Sequence, residues 1–263
     1  MLKRRIIPKI LIQSRSIGGT ETLVGVTTQN FSNIRVVGDP VSQAKLYESQ
    51  LADELVILRR NPEQSIDSGN FKSLLSRLAQ ESFMPLAVGG GINSVDTAKA
   101  LIASGADKVV VGDAAIKSSS LLPAIASRFG SQCLVVSLDV IADDSGRYTV
   151  MTGLGRTKPA GDLCELLSHC ESNGAGEILL TDVTRDGQGQ GLNLSLGAYA
   201  TERVPVPVIL SGGAGTPAHF GDAFQTARVD AVAAGTFFSR RDQTPMEIRA
   251  HMKNCGIPTR IIS

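Results

Sequence analysis

Two glycine-rich segments are the first candidates for chemistry. Val88-Gly89-Gly90-Gly91-Ile92 and Ser211-Gly212-Gly213-Ala214-Gly215 each follow a short apolar run and precede a helix start, at Ser94 and at Pro217. Glycines let backbone N–H groups approach an anion closely, and a helix N-terminus supplies positive potential. A phosphate site that includes Gly90, Gly91, Gly212 and Gly213 is the functional interpretation. The alternative is that these glycines only turn the chain.

The two segments differ in their neighbours. Ala234-Gly235-Thr236 would add amides and a hydroxyl beside the second segment, whereas Gly112-Asp113 would add a carboxylate beside the first. A carboxylate repels phosphate at close range. We therefore expect Gly235 and Thr236 to complete a working phosphate site, and the first site to be impaired. The loop that contains Arg185-Asp186-Gly187 either closes over the ligand or is merely flexible.

Both segments belong to a regular alternation of apolar runs and helical segments. The eight runs, typical of strands buried on both faces, are residues 5–12, 54–58, 85–88, 108–112, 133–139, 177–182, 208–211 and 230–234. Helix starts are indicated at Asp39-Pro40, at Ser94 with Thr97, at Thr216-Pro217, and at Thr244-Pro245 before Glu247. Eight strand and helix pairs predict an α/β fold, a (β/α)8 TIM barrel formed by residues 1–263 as one domain. A doubly wound sheet is the alternative, but it leaves the eighth unit unexplained.

An internal repeat favours the barrel. Gly105-Ala106-Asp107 corresponds to Arg228-Val229-Asp230 at an offset of 123 residues, and similar pairs recur at 122. Each half also carries a long excursion after its first strand, at 13–37 and 140–160. The period predicts a duplicated half-barrel with two equivalent pockets at its mouth. Because residues 13–37 are rich in Thr, Ser and Gly, we expect them to be a lid loop.

The composition excludes several classes of function. The 263 residues are 42% hydrophobic and 19% charged, with 26 Lys and Arg against 25 Asp and Glu. This balance gives no reason to expect nucleic acid or a membrane surface as a partner. No apolar run is long enough to span a bilayer and no signal peptide is evident, so we expect a cytoplasmic protein. The four cysteines lack metal-ligand spacing, and we expect no metal or cofactor.

Charged residues begin four of the predicted strands. Their signs alternate, and at the lower end of a barrel they could neutralise one another as a ring of salt bridges. The four residues are Arg5, Glu54, Lys108 and Glu177. From the residues alone, the favoured interpretation is a stabilising network, because the bottom face of such barrels usually serves stability.

Together, many ordered motifs resemble the cyclase subunit of imidazole glycerol phosphate synthase, HisF, over nearly the whole chain. They include Arg5-Ile6-Ile7-Pro8, Gly38-Asp39-Pro40, Ala52-Asp53-Glu54-Leu55-Val56, Gly105-Ala106-Asp107-Lys108-Val109, Arg128-Phe129-Gly130-Ser131-Gln132, Gly174-Ala175-Gly176-Glu177-Ile178-Leu179-Leu180, Arg185-Asp186-Gly187 and the two glycine-rich segments. The resemblance implies a barrel that takes ammonia from a docked glutaminase, HisH, at its lower face. It also implies that ammonia passes along the barrel axis to cleave and cyclise a bisphosphate ribonucleotide at the upper face.

The resemblance also assigns roles to individual residues. Of the two aspartates that act as general acid and base in that family, Asp139 matches the second, but the first falls at Leu11. A leucine cannot transfer a proton, and loss of such a group typically costs about 10²–10⁴ in rate.

The second strand reads Ile57-Leu58-Arg59-Arg60 where the family has an aspartate. Asp113 stands where the family has a neutral phosphate-binding residue, and Gly187 is carried over as phosphate-binding. Arg5, Glu54, Lys108 and Glu177 match the family's ammonia gate, and Asp107 matches a carboxylate at the glutaminase interface.

Three interpretations follow. The favoured one is an ammonia-channelling barrel subunit of a glutamine-dependent amidotransferase, because HisF-like proteins with an apolar residue in place of the first aspartate resemble a branch associated with surface-sugar amidination. Its partners would be a HisH-like glutaminase, a sugar amidotransferase and a phosphorylated small molecule. The second is a true cyclase in which another carboxylate, such as Asp113 or Asp182, has taken over the lost role. The third is a barrel without chemistry that only scaffolds a partner.

Overall fold

The computed structural model of the protein describes residues 3–60, 68–143, 145–153, 161–240 and 243–259. Its strands are β1 (Arg5–Ile17), β2 (Thr20–Gln29), β3 (Ser32–Gly38), β4 (Leu55–Arg59), β5 (Leu86–Gly89), β6 (Lys108–Val111), β7 (Leu134–Ala142), β8 (Tyr148–Met151), β9 (Glu177–Asp182), β10 (Val208–Ser211) and β11 (Ala231–Ala234). Its helices are α1 (Pro40–Ser49), α2 (Gly69–Glu81), α3 (Val95–Ala103), α4 (Asp113–Lys117), α5 (Leu121–Phe129), α6 (Leu163–Ser172), α7 (Leu194–Thr201), α8 (Pro217–Gln225), α9 (Thr236–Arg240) and α10 (Pro245–Asn254).

Eight parallel strands close into a barrel. They are β1, β4, β5, β6, β7, β9, β10 and β11. The circle is completed by pairing of β11 with β1, in which Arg5 lies opposite Ala231 and Pro8 opposite Ala234. This closure confirms the predicted (β/α)8 barrel and excludes the doubly wound sheet, whose first and last strands would be edges. No helix among the described residues is long and apolar enough to cross a membrane.

The indicated helix starts are real N-caps. Asp39 accepts the Ser42 N–H at 2.8 Å, and Ser94 accepts the Thr97 N–H at 3.1 Å. At α10, Thr244 and Glu247 form a reciprocal capping box. Such caps satisfy N–H groups that the first turn of a helix leaves without partners. They also fix where each helix leaves the strand before it.

The prediction of a lid loop at 13–37 was wrong. Strand β1 continues past the barrel to Ile17 and forms an antiparallel hairpin with β2, which β3 extends. Residues 24–28 are all buried while the residues at the start of β2 are exposed, so the second half of β2 is enclosed by the protein on both faces. The second excursion, 140–160, begins in the same way, because β7 pairs antiparallel with β8. Residues 144 and 154–160 of that excursion lie outside the described residues.

The strand registers confirm the duplication. In the first half, Leu11 lies opposite Leu58, which lies opposite Gly89. In the second half, Asp139 lies opposite Thr181, which lies opposite Ser211. Leu11 and Asp139, which lie 128 residues apart, therefore occupy equivalent positions of the two half-barrels.

Side chains inside the barrel form layers along its axis. Because successive residues of a strand point to opposite faces, every second residue faces inward. The middle layer, called the inner layer below, consists of nine aliphatic side chains that are at most 1% exposed: Ile7, Val56, Ala87, Val110, Val135, Leu179, Ile209, Ala231 and Ala233. The second, larger apolar cluster lies between the sheet and the helices. The barrel interior is therefore dry and apolar at mid-height.

Candidate functional site

The lower end of the barrel is closed by four charged side chains, which we call the lower ring. Arg5 Nη1 lies 2.8 Å from Glu54 Oε2 and 3.0 Å from Glu177 Oε1. Lys108 Nζ lies 3.0 Å from each of the same two carboxylates. Glu54 directly precedes β4, and the other three begin β1, β6 and β9. Each cation thus bridges both anions, and the charges form an unbroken circle below the inner layer.

Burial and pairing act in opposite directions on the lower ring. Burial lowers the pKa of the Arg5 guanidinium, but the carboxylates of Glu177 and Glu54 more than offset it, so the pKa is raised overall. Glu54 is the most enclosed member, with a side chain that is 3% exposed. Charges this far from water are stable only while their partners remain in place. The lower ring therefore holds the barrel shut in the resting structure.

Three aspartates at the same face tie neighbouring strands together. Asp53 accepts the Ile6 N–H at 2.8 Å, Asp107 accepts the Leu86 N–H at 2.8 Å, and Asp230 accepts the Val208 N–H at 3.1 Å. Asp107 and Asp230 are the repeat-related pair. Asp107 is nevertheless exposed and lies beside Lys108, so the position assigned to the glutaminase interface also has a structural role.

The glycines of the upper face have a structural requirement of their own. Gly90 and Gly91 have φ of 99° and 105°, and Gly212 and Gly213 have φ of 93° and 106°. A Cβ at Gly90 would overlap the Arg59 carbonyl oxygen. A Cβ at Gly212 would lie 2.5 Å from the Asp182 carbonyl oxygen. The glycines therefore let the chain turn across the end of the preceding strand in both halves, and they alone do not establish a phosphate site.

In the second half these glycines line a pocket. Gly187, Gly212, Gly213, Gly235 and Thr236 share it with Ser211 and with Lys9, which the sequence analysis did not single out. Lys9 is 8% exposed, and its Nζ donates to Ser211 Oγ at 3.0 Å. A lysine at an inward position of a buried strand was the available signal, because lysine is almost never fully buried without a reason.

Asp139 faces the mouth of the barrel from β7. Burial raises the pKa of Asp139 to about 7; the Lys9 ammonium lowers it, while Asp113 and Asp186 raise it further. Its carboxylate makes no hydrogen bond to any of the described residues, although part of its surface stays open to the mouth. A carboxyl group that titrates near neutral pH can take up or release a proton under cellular conditions.

The equivalent position in the first half holds no such group. Leu11 offers only an aliphatic side chain, and Arg59 follows Leu58 at the end of β4. Asp113 accepts the Gly153 N–H at 2.9 Å and lies 3.5 Å from Lys117. Among the described residues, the inward position at the end of the first strand of each half therefore holds a carboxyl group in the second half, Asp139, and an aliphatic side chain in the first, Leu11.

Asp182 is not a candidate for the missing carrier. Its Oδ1 accepts from the Thr184 N–H at 2.9 Å, the Thr184 hydroxyl at 2.7 Å and the Arg185 N–H at 3.2 Å. Its Oδ2 accepts from Asn193 at 2.7 Å. Thr181, the residue before it, pairs with Asp139 and Ser211 and faces into the barrel. Because successive residues of a strand point to opposite faces, Asp182 points out of the barrel. It shapes the turn after β9.

The ribbon of β1, β2 and β3 is fastened to the pocket through Asp186. The Thr28 hydroxyl donates to Asp186 Oδ2 at 2.7 Å, and the Asn30 N–H donates to the Asp186 carbonyl at 2.9 Å. Thr236 Oγ1 donates to the Thr28 carbonyl at 3.3 Å. The loop after β9 is thus attached to the ribbon.

Taken together, the closed barrel, its charged lower ring and its upper pocket define a TIM-barrel protein with a candidate site at the C-terminal ends of its strands. The comparisons specify the class further. Residues 5–243 match the histidine biosynthesis protein family, and the chain belongs to it. The chain is 41% identical over 263 residues to a protein of Prochlorococcus marinus (strain MIT 9313) described as a "putative imidazole glycerol phosphate synthase subunit hisF2", covering 99% of each chain. This is a HisF-like barrel, as the sequence motifs predicted.

Proposed function

We propose that this HisF-like barrel is the acceptor-side subunit of a glutamine-dependent amidotransferase. It receives ammonia from a HisH-type glutaminase at its lower face and delivers it at its mouth to a phosphorylated acceptor other than the histidine-pathway nucleotide. The observation that carries the proposal is the contrast between the two ends. The lower ring is complete, whereas Leu11 occupies the position equivalent to Asp139.

Passage of ammonia fits the layers of the barrel. The inner layer separates the lower ring from Lys9 and Ser211 and consists of aliphatic side chains. An apolar interior favours neutral ammonia over ammonium, because a buried charge without a partner costs several kcal/mol. Neutral ammonia is also the nucleophile that an acceptor requires. Since the lower ring is closed at rest, ammonia enters only when docking moves at least one of its four side chains.

A glutaminase would dock on the face that carries Asp107. Phe83, in the segment just before β5, is 93% exposed there, and its backbone N–H is held by Glu48 at 2.7 Å. An exposed aromatic side chain on a fixed backbone suits the centre of a protein interface. Phe83 and Asp107 precede the neighbouring strands β5 and β6, so they form one edge of the proposed interface.

The altered first half points to a different acceptor. Asp113 places a carboxylate whose charge reaches the mouth beside that half, so the second end of a bisphosphate would meet a different environment. A sugar that is amidinated for a surface polysaccharide is the acceptor class we propose, with a sugar amidotransferase as the third component in the cytoplasm. No activity is expected of the isolated chain.

Isotope protection tests this proposal. The barrel is combined with a HisH-type glutaminase and a sugar amidotransferase, with glutamine labelled with nitrogen-15 in its amide, and with an excess of unlabelled ammonium. Channelling predicts that the amidinated product retains the label. Lys108→Met should let ammonium dilute the label, whereas Lys45→Met, which removes an exposed ion pair with Glu81, should not. Equal dilution in wild type and Lys108→Met would contradict a conduit through the lower ring.

A second candidate, a genuine cyclase, is favoured by the description of the relative and by Asp113, whose charge acts on Asp139. The bisphosphate ribonucleotide of the histidine pathway with added ammonium separates the two. Loss of one of two acid–base groups typically costs about 10²–10⁴ in rate, so we expect no measurable turnover. Turnover that disappears in Asp113→Asn would establish the cyclase instead.

A further inference from the structure

Lys9 places an incompletely compensated charge inside the barrel. It is 8% exposed, and its single hydrogen bond among the described residues goes to the neutral hydroxyl of Ser211 at 3.0 Å. None of the described carboxylates forms an ion pair with it, although Asp139 is near enough for the Lys9 ammonium to lower its pKa, against the larger effect of burial. An ammonium group has three N–H donors, so two of them have no acceptor in the part of the chain that the structure describes. A buried charge in this condition is costly unless something else neutralises it.

The surroundings of Lys9 are suited to an anion. Ser211, Gly212, Gly213, Gly235 and Thr236 line the same pocket. A Cβ at Gly235 would lie 3.0 Å from the Lys9 carbonyl oxygen and 4.0 Å from its Cε, so glycine keeps the space above Lys9 open.

One anionic group also lines this pocket. The Asp186 carboxylate is engaged by the Thr28 hydroxyl at 2.7 Å and lies 3.5 Å from the Phe31 N–H. These bonds draw its Oδ2 toward the ribbon. Among the residues that line the pocket, Lys9 is the one lysine or arginine.

We propose that Lys9 is a ligand-binding residue whose ammonium holds a phosphoryl group of the acceptor at the inner end of this pocket. Phosphate oxygens would accept the two N–H groups that lack protein partners, and a phosphate dianion would neutralise the buried charge. Since Lys9 lies directly above the inner layer, the acceptor would be anchored where the apolar interior ends. The inference rests on the proposed function and adds to it the residue that recognises the ligand.

Inorganic phosphate is the probe for this inference. Wild type, Lys9→Met and the exposed control Lys45→Met are titrated with phosphate by calorimetry and by thermal unfolding. We expect wild type and Lys45→Met to bind alike and Lys9→Met to bind at least about tenfold more weakly. In phosphate-free buffer, Lys9→Met should unfold at the same or a higher temperature than wild type, because an apolar side chain replaces a buried ammonium. Lys9→Gln, shorter and neutral, should show the same loss of phosphate affinity if Lys9→Met does not fold.

The outcomes separate the alternatives. Unchanged phosphate affinity in Lys9→Met or Lys9→Gln, with a lowered unfolding temperature, would make Lys9 a purely structural residue and overturn the inference. Failure of wild type to bind phosphate would overturn it as well. Neither result affects ammonia transfer through the lower ring, which the isotope experiment tests independently.

Discussion

Thr28 Oγ1 donates a hydrogen bond to Asp186 Oδ2 at 2.7 Å, and both residues are buried. Thr28 belongs to the antiparallel ribbon and Asp186 to the loop after β9, so this bond joins parts of the chain that are 158 residues apart. The Gln188 side chain adds a bond to Asn30 at 2.9 Å. One wall of the pocket that contains Lys9 is therefore held by a ribbon from the other half of the barrel.

Replacement of Thr28 by valine tests this attachment. Valine keeps the shape of threonine but removes the donor, which leaves the buried Asp186 carboxylate with one bond fewer. We expect the free energy of unfolding to fall by about 1–3 kcal/mol, and hydrogen exchange at residues 28–31 to accelerate. Ser14→Ala, which removes an exposed bond to Glu21 on the same ribbon, should cost less than about 0.5 kcal/mol. Equal effects of the two changes would mean that the Asp186 contact does not hold the ribbon.

The lower ring should respond to substitution as a unit. Glu54→Gln leaves Arg5 and Lys108 with one carboxylate between them, and breaking a buried ion pair typically costs about 3–5 kcal/mol. Lys108→Met alone should also destabilise the protein. In the double variant, the excess positive charge is removed, so the cost should be smaller than the sum of the two single costs. Denaturant unfolding of the four proteins measures this coupling, and strict additivity would show that the ring is a set of independent pairs.

Asp139 should make stability depend on pH. Its pKa is raised from an ordinary value of 3.8 to about 7, so the folded state holds this proton more tightly than the unfolded state. Stability contributed by Asp139 is then present below pH 4 and is lost as the pH rises through 7. Asp139→Asn does not titrate and should gain stability over wild type between pH 4 and 8, by about 1–4 kcal/mol since one pKa unit corresponds to about 1.4 kcal/mol.

The matched control for this pH effect is Asp143→Asn. Hydrogen bonds from Ser145 and Arg147 lower the pKa of Asp143. Its contribution is therefore present at neutral pH and lost on acidification, which is the opposite sign. A gain in stability of Asp139→Asn that did not change between pH 4 and 8 would contradict the raised pKa.

Phe83 should matter for association and not for folding. Because its side chain is 93% exposed, Phe83→Ala should leave the unfolding temperature unchanged. If the glutaminase docks on the lower face, the dissociation constant should rise about tenfold, which corresponds to about 1.4 kcal/mol. Val36→Ala, at an exposed apolar position of β3 beside the mouth, should have no effect on docking. Unchanged affinity in Phe83→Ala would place the interface elsewhere.

Much of the scaffold was readable from the sequence because it depends on local patterns. The strand runs at 177–182 and 208–211 match β9 and β10 residue for residue, since each is apolar and ends at a turn. The equivalence of Leu11 and Asp139 followed from the repeat, because the duplicated halves keep the same register. The charges that form the lower ring were also visible, since they begin strands or directly precede one.

Features that depend on long-range contacts were missed. Residues 13–37 were predicted as a loop because they are rich in Thr, Ser and Gly, although Thr and Val also favour strands. The strands are defined by pairing of β2 with β1 and of β3 with β2. The sequence analysis missed Lys9 because the hydrogen bond that places it in the pocket is made to Ser211, which lies 202 residues away. Asp182 resembled a candidate catalytic group until its bonds to Thr184 and Asn193 showed that it is fully used by its own turn.

The three aspartates at the lower face have a consequence for how such a barrel can diversify. Asp53, Asp107 and Asp230 fasten adjacent strands at one end by side-chain bonds to backbone amides. These bonds stabilise the barrel at the end opposite the pocket. Substitution at Leu11 or Arg59 leaves these hydrogen bonds untouched. The duplicated barrel has two half-sites at its upper end, and the aspartate bonds at its lower end stabilise both. One half-site can therefore change its ligand specificity while the other is retained.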